Sequence, residues 1–314
     1  MYKFINSNKN WEIIMHRRTF LKTSMTIGSS TFILGNFQKL FSLQNSEPDA
    51  IWVSGAEPVD LINKAYEHFG GIQKLISKGD IVVIKPNIGW DRAPKYAANT
   101  NPTLVAEVVK KCFEAGAKKV KVFDRTINNP QRCYKNSQIE AIAKKYGADV
   151  EHVRDFKFTD ISLPKGEILK KWPIYKDYLE ADKIINIPIA KHHSLCGITA
   201  GLKNLMGVMG GNRGAIHNQF TKKLIDIDTQ ILPSLTIIDG YRVLTRNGPS
   251  GGNVNDVKYA RSLIISTCTV TADILALELF GLKLKQAPYI QEALDRSLNK
   301  YDPNKLNVER IDLS

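Results

Sequence analysis

The sequence predicts an α/β protein: a mostly parallel open sheet with helices on both faces. Three observations predict it. Short apolar, β-branched runs recur along the chain, they are continuous rather than alternating, and amphipathic segments with glycine stops lie between them. Continuous runs suit strands buried on both faces. Strands alternating with helices imply βαβ units and a parallel sheet.

Taken in order, the strand candidates are Ile81–Ile84, Val120–Phe123, Ile184–Ile187, Leu235–Ile238 and Leu263–Ser266. Between the first two, Pro102–Ala115 carries Leu104, Val105, Val108, Val109 and Cys112 at helical spacing and stops at Gly116. Asn136–Tyr146 is a second amphipathic helix closed by Gly147, and Thr271–Phe280 a third ended by Gly281. Residues 156–180, broken by polar residues and prolines, read as a smaller excursion off the sheet.

The N-terminus reads differently. Arg17-Arg18-Thr19-Phe20-Leu21-Lys22 precedes a mildly apolar stretch, Thr23–Gly35, free of acidic residues. A charged segment before a short apolar one is the anatomy of an export signal, here of the twin-arginine type. The stretch is too short for a ~30 Å hydrocarbon core, which needs ~20 apolar residues. Residues 1–45 are therefore expected to be an N-terminal extension and signal, with a mature start between Gln44 and Asp49, and 46–314 a single domain. Met15, just before the arginines, is a second candidate start. The expected partner is the twin-arginine translocation machinery and the expected location the periplasm, with the chain tethered to the membrane where the signal is retained. No stable transmembrane segment is expected in the mature chain.

The full chain carries a formal charge of +13, and removing residues 1–45 takes away six basic residues and one acidic one, leaving 13 − 6 + 1 = +8. A basic excess suits an anionic ligand. It is spread without Lys/Arg runs or aromatic interleaving, which argues against nucleic acid. The four cysteines, Cys112, Cys133, Cys196 and Cys268, contain no Cys-x-x-Cys pair. No iron–sulfur cluster or zinc ribbon is expected from such spacing, whereas a disulfide in an oxidising compartment stays open.

In a parallel sheet, ligands bind beyond the carboxyl ends of the strands. The strands here end in Lys85-Pro86-Asn87, Asp124-Arg125, Lys191-His192-His193 and Asp239-Gly240, the last leading to Gly248-Pro249-Ser250-Gly251-Gly252. Thr199 and Lys203, four apart, would share a helix face beside Asn204. Gly207, Gly210, Gly211 and Gly214 surround Arg213, with His217 beyond. Glycines allow backbone N–H groups to approach an anion, and Arg grips carboxylate or phosphate in bidentate fashion. The reading is a site for a small anionic substrate. Lys191, His193 and His217 are the catalytic candidates, and Lys85, Asn87, Lys203, Asn204, Arg213, Asp124 and Asp239 the binding ones. Asp124, Asp239, His192 and His217 could alternatively hold a metal, which would make the protein a non-catalytic metal- or cofactor-binding module; the cofactor itself is not identified.

The same residues (Lys85-Pro86-Asn87, Lys191-His192-His193, Thr199, Lys203-Asn204, Gly207, Arg213, His217, Asp239-Gly240 and Gly248 to Gly252) resemble the family catalogued as domain of unknown function 362, over roughly Asp80 to Gln286. Many members read Lys-x-His at Lys191-His192-His193, which makes His193 the match to the family histidine. Members with twin-arginine signals are familiar. The ferredoxin-like cysteines inserted in some members are absent here, so the resemblance implies no electron transfer. It implies no reaction either. A distant likeness to the N-terminal domain of lactate racemase is an analogy of fold alone.

Overall fold

The computed structural model describes residues 47–314, so the segment containing Arg17 and Arg18 lies outside the described residues. The strands are β1 (Ala50–Ser54), β2 (Ile81–Pro86), β3 (Lys119–Val122), β4 (Asp149–Val150), β5 (Phe158–Ser162), β6 (Lys171–Tyr175), β7 (Lys183–Ile187), β8 (Ile189–His193), β9 (Gly197–Thr199), β10 (Leu235–Leu244), β11 (Val257–Ser266) and β12 (Val308–Asp312). All but β5 and β6 join one ten-stranded sheet in the order β12-β1-β11-β10-β7-β2-β3-β4. Beyond Pro188, β8 carries on alongside β10, and β9 folds back onto β8. Pairing is parallel from β10 through β7, β2 and β3 to β4. It turns antiparallel at β11, which runs against both β10 and β1.

The continuous apolar runs are explained by two cores, one on each face. Val82, Ile84, Ile185, Ile187, Ile237 and Ile265 point into one; Val83, Ile238 and Ile264 point into the other. Successive side chains alternate between faces, so every position of such a strand must be apolar. Helices Pro58–Phe69 and Pro102–Glu114 cover the first face. Helices Phe220–Ile231, Thr269–Ala276 and Pro288–Asp295 cover the second. Helix Pro102–Glu114 starts as its sequence dictates: the Asn101 side chain accepts the Thr103 N–H at 3.1 Å, Pro102 supplies the first turn, and Gly116 at φ +96° ends the run.

Three expectations need correction. The single helix expected over Asn136–Tyr146 is two, Pro130–Asn136 and Ile139–Lys145, broken at Gln138, whose φ is +64°. Leu263–Ser266 belongs to a ten-residue antiparallel strand, β11, rather than a parallel one. Thr199 and Lys203 do not share a helix, because Thr199 closes β9 and Lys203 lies in the short turn of helix Gly201–Asn204. The excursion over 156–180 is the β5–β6 hairpin. Its turn is pinned by the buried Asp226 carboxylate, which accepts the N–H groups of Glu167, Ile168 and Leu169 at 2.7, 2.8 and 2.7 Å and pairs with Arg296. All four cysteines are buried free thiols. No helix among the described residues is long and apolar enough to cross a membrane.

Candidate functional site

Parity also decides which polar residues meet. Lys85 follows Val83 by two positions and so emerges on the same face, at the end of β2. It reaches a cleft of about 550 Å³ beyond the carboxyl ends of β2 and β3. Asn87, Asp124, Lys191, His193, Thr199, Lys203, Asn204, Arg213 and His217 border the same cleft. Five cations line it (Lys85, Arg125, Lys191, Lys203 and Arg213) against one carboxylate, that of Asp124. The cleft is therefore electropositive and partly closed off from water, where such charges act most strongly.

Counting donors separates the groups that hold the site together from those with hydrogens to spare. The Lys85 ammonium pairs with Asp124 Oδ1 at 2.8 Å and donates to Asn204 Oδ1 at 2.9 Å and to the Pro86 carbonyl at 3.0 Å. Three hydrogens meet three acceptors, so Lys85 is saturated. Asn204 is saturated too. Its oxygen accepts from Lys85 and from Asn87 Nδ2, and its amide donates to the Lys85 carbonyl and to Asn186 Oδ1. Asp124 Oδ2 accepts the Ile88 N–H at 2.6 Å. Lys191 spends two hydrogens, on Asn87 Oδ1 at 3.0 Å and on the Ala98 carbonyl at 2.5 Å, and its ammonium lies 6.0 Å from the centre of the Trp90 ring. The Lys203 ammonium has a thioether, Met206 Sδ at 3.0 Å, and the face of Phe220 at 5.3 Å. No oxygen acceptor of the protein lies within hydrogen-bond reach of it among the described residues.

Burial tunes these groups. It pulls Lys191 down to about 7, with Asp124 opposing and Lys203 and Lys85 adding to the fall. Lys203 is lowered by burial as well, Cys196 opposing and Arg213 and Lys85 reinforcing. His193 is pushed down to about 3 by burial and then by Lys203 and Lys191, so it is neutral at physiological pH. Its Nδ1 accepts the Leu195 N–H at 3.2 Å, which leaves the proton on Nε2 as a donor. His217 is at the exposed rim, stacked on Phe220 with ring centres 5.9 Å apart.

The glycine segment behaves otherwise than its composition suggests. Its groups are spent within the protein: Arg125 Nη1 donates to Met209 O and Gly211 O, each at 3.0 Å, and the Gly210 N–H donates to Pro173 O at 2.7 Å. Arg213 answers by donating to Arg125 O at 2.8 Å and Thr126 O at 2.7 Å. Each arginine thus clasps the backbone of the other's segment, and Arg213 is a fastener before it is a ligand. Burial, then Arg125, lowers Arg213 to about 10, so it remains charged at physiological pH.

Asp239 is not at the cleft. It shares parity with Ile237, faces the other side of the sheet, and accepts the Asn101 N–H at 2.7 Å at the start of helix Pro102–Glu114. His192 is also apart, its Nδ1 accepting the Gly248 N–H at 3.2 Å. The metal set of Asp124, Asp239, His192 and His217 is thus not brought together, and among the described residues no group of three or more His, Cys, Asp or Glu side chains could hold a metal ion. Trp90, Ile127 and Met206 border the cleft without having stood out in the sequence. Trp90 could have been found as the aromatic residue in the loop that follows β2.

Comparison with known proteins adds the following. The profile of the family described as "Domain of unknown function (DUF362)" matches residues 82–278. Over 199 residues the chain is 26% identical to a thylakoid-associated protein of Synechocystis sp., a match covering 61% of each chain. In part it resembles the lactate racemase apoprotein from Thermoanaerobacterium thermosaccharolyticum, with a TM-score of 0.46 and 16% identity over 75% of this chain and 58% of that one. A protein from Thermotoga maritima gives a TM-score of 0.45 and 13% identity over 72% and 60%. The chain spans about three fifths of the length of these relatives.

Proposed function

Because the chain belongs to the family described as domain of unknown function (DUF362), whose name carries no reaction, we propose a function from the cleft itself: an enzyme that binds a small carboxylate or phosphate and moves a proton on it. The observation that carries this reading is the Lys203 ammonium, part-buried and facing a thioether where a cation would be expected to face oxygen. A charge drawn partly out of water with no oxygen or opposite charge against it is costly, and an anion in the cleft would supply one. Lys191 has one hydrogen left for the same anion, and His193 offers its Nε2–H beside it.

In this reading Lys203 and Lys191 hold the anion, Lys191, poised near neutrality, exchanges a proton with the bound molecule, and neutral His193 donates a hydrogen bond to it from Nε2–H. His217 serves at the rim. Lys85, Asp124, Asn204 and Asn87 form the rigid floor that aims Lys191. The protein carrying this site is exported by the twin-arginine route on the signal at Arg17–Arg18 and works in the periplasm.

The test is thermal unfolding with and without phosphate, sulfate and simple carboxylates. At 100 times the dissociation constant a ligand stabilises the native state by about 2.7 kcal/mol. Wild type should show such a rise with at least one anion and Lys203→Met should lose it. Wild-type protein indifferent to every anion would sink the reading.

A further inference from the structure

The cleft does not end at Trp90. The indole also borders a neighbouring pocket of about 420 Å³ that includes Arg92, Asn128, Arg132 and Ser250. The two spaces share one turn as well, for Pro249 borders the cleft and Ser250 the pocket.

Charges in this second pocket are unevenly matched. Asp91, its one carboxylate, is already engaged by Arg132 at 2.6 Å and by Asn136 Nδ2 at 2.5 Å. Arg92 forms no ion pair among the described residues. Its Nη1 donates to the Asp91 carbonyl at 3.0 Å, and its Nε is buried with no hydrogen-bond partner. Opposite stands Gly252, at φ +129°, where a Cβ would come within 3.5 Å of Arg92 Nε and Nη2. The turn thus closes over the Nε side, and Nη2, which donates to no protein oxygen among the described residues, keeps its hydrogens for a carboxylate or phosphate.

We propose that this pocket is a second anion subsite, and that the substrate carries two anionic groups joined by an apolar spacer that crosses the Trp90 indole. The first group sits at Lys203 and Lys191, the second at Arg92. The inference rests on the anion reading of the cleft and narrows it to dianions. An indole face suits an apolar spacer, and two separated cationic anchors select by length.

Titration calorimetry would compare α,ω-dicarboxylates from succinate to suberate with monocarboxylates of equal length, and alkylphosphonates with their ω-carboxy counterparts. Wild type should bind one dianion length at least tenfold more tightly than its monoanion. Arg92→Gln should erase that margin and leave monoanion affinity within twofold. Ser250→Asp, which sets a carboxylate in the pocket, should erase it too, a check that survives if one variant folds poorly. Equal affinity for mono- and dianions at every length, or a margin that persists in both variants, overturns the second subsite while the cleft reading stands. No binding of any anion by wild type overturns both.

Discussion

Gly207 stands where no other residue fits. A Cβ there would lie 1.7 Å from Asp124 Oδ1 and 2.5 Å from Lys85 Nζ. Gly207→Ala must therefore part a buried ion pair, a change that costs ~3–5 kcal/mol when a partner is removed outright. Chemical denaturation should show a loss of that order, and a variant as stable as wild type would contradict the packing at this point. Lys191 makes a separate prediction. Its amine is protonated below about 7 and neutral above, whereas a bound anion favours the protonated form. Binding above that pH must then take up a proton, so affinity should fall as pH rises, by up to about tenfold per unit for one linked proton. Calorimetry between pH 6 and 9 reads this directly, and Lys191→Met should flatten the profile. A flat wild-type profile would remove Lys191 from the anion site.

At the scale of elements, the clasp between Arg125 and Arg213 ties the glycine segment to the end of β3. Arg213→Ala removes the donors to Arg125 O and Thr126 O. Amide exchange over 207–217 should then quicken while the sheet stays protected, and anion affinity should drop through loss of order rather than loss of a ligand. Unchanged exchange in that segment would show that the clasp holds nothing. The same clasp shows where sequence reading stopped. The glycines, Arg213 and the strand ends were legible because turns and apolar runs leave local marks. The direction of the hydrogen bonds was not, since an arginine that grips carbonyls and one that grips a ligand are spelled alike. Asp239 was misplaced for a similar reason: a strand end is visible in sequence, but which face each residue takes depends on a register known only once the neighbours are in place. Lys85 was found but its role was not, because saturation is a property of three partners brought from Pro86, Asp124 and Asn204.

For the whole molecule, the export reading rests on Arg17–Arg18 before an apolar stretch. Replacing both with Lys should leave the protein in the cytoplasmic fraction; normal export of that variant would remove the twin-arginine route. The four buried, unpaired cysteines bear on the same journey. None is exposed to an oxidant, and Cys112, Cys133 and Cys196 have thiols that burial pushes upward, away from the reactive thiolate. The described fold is thus complete without any cross-link that only the destination could make. On the proposed twin-arginine route, a chain of this kind can reach its final shape in a reducing cytoplasm and owes no disulfide to the compartment it enters.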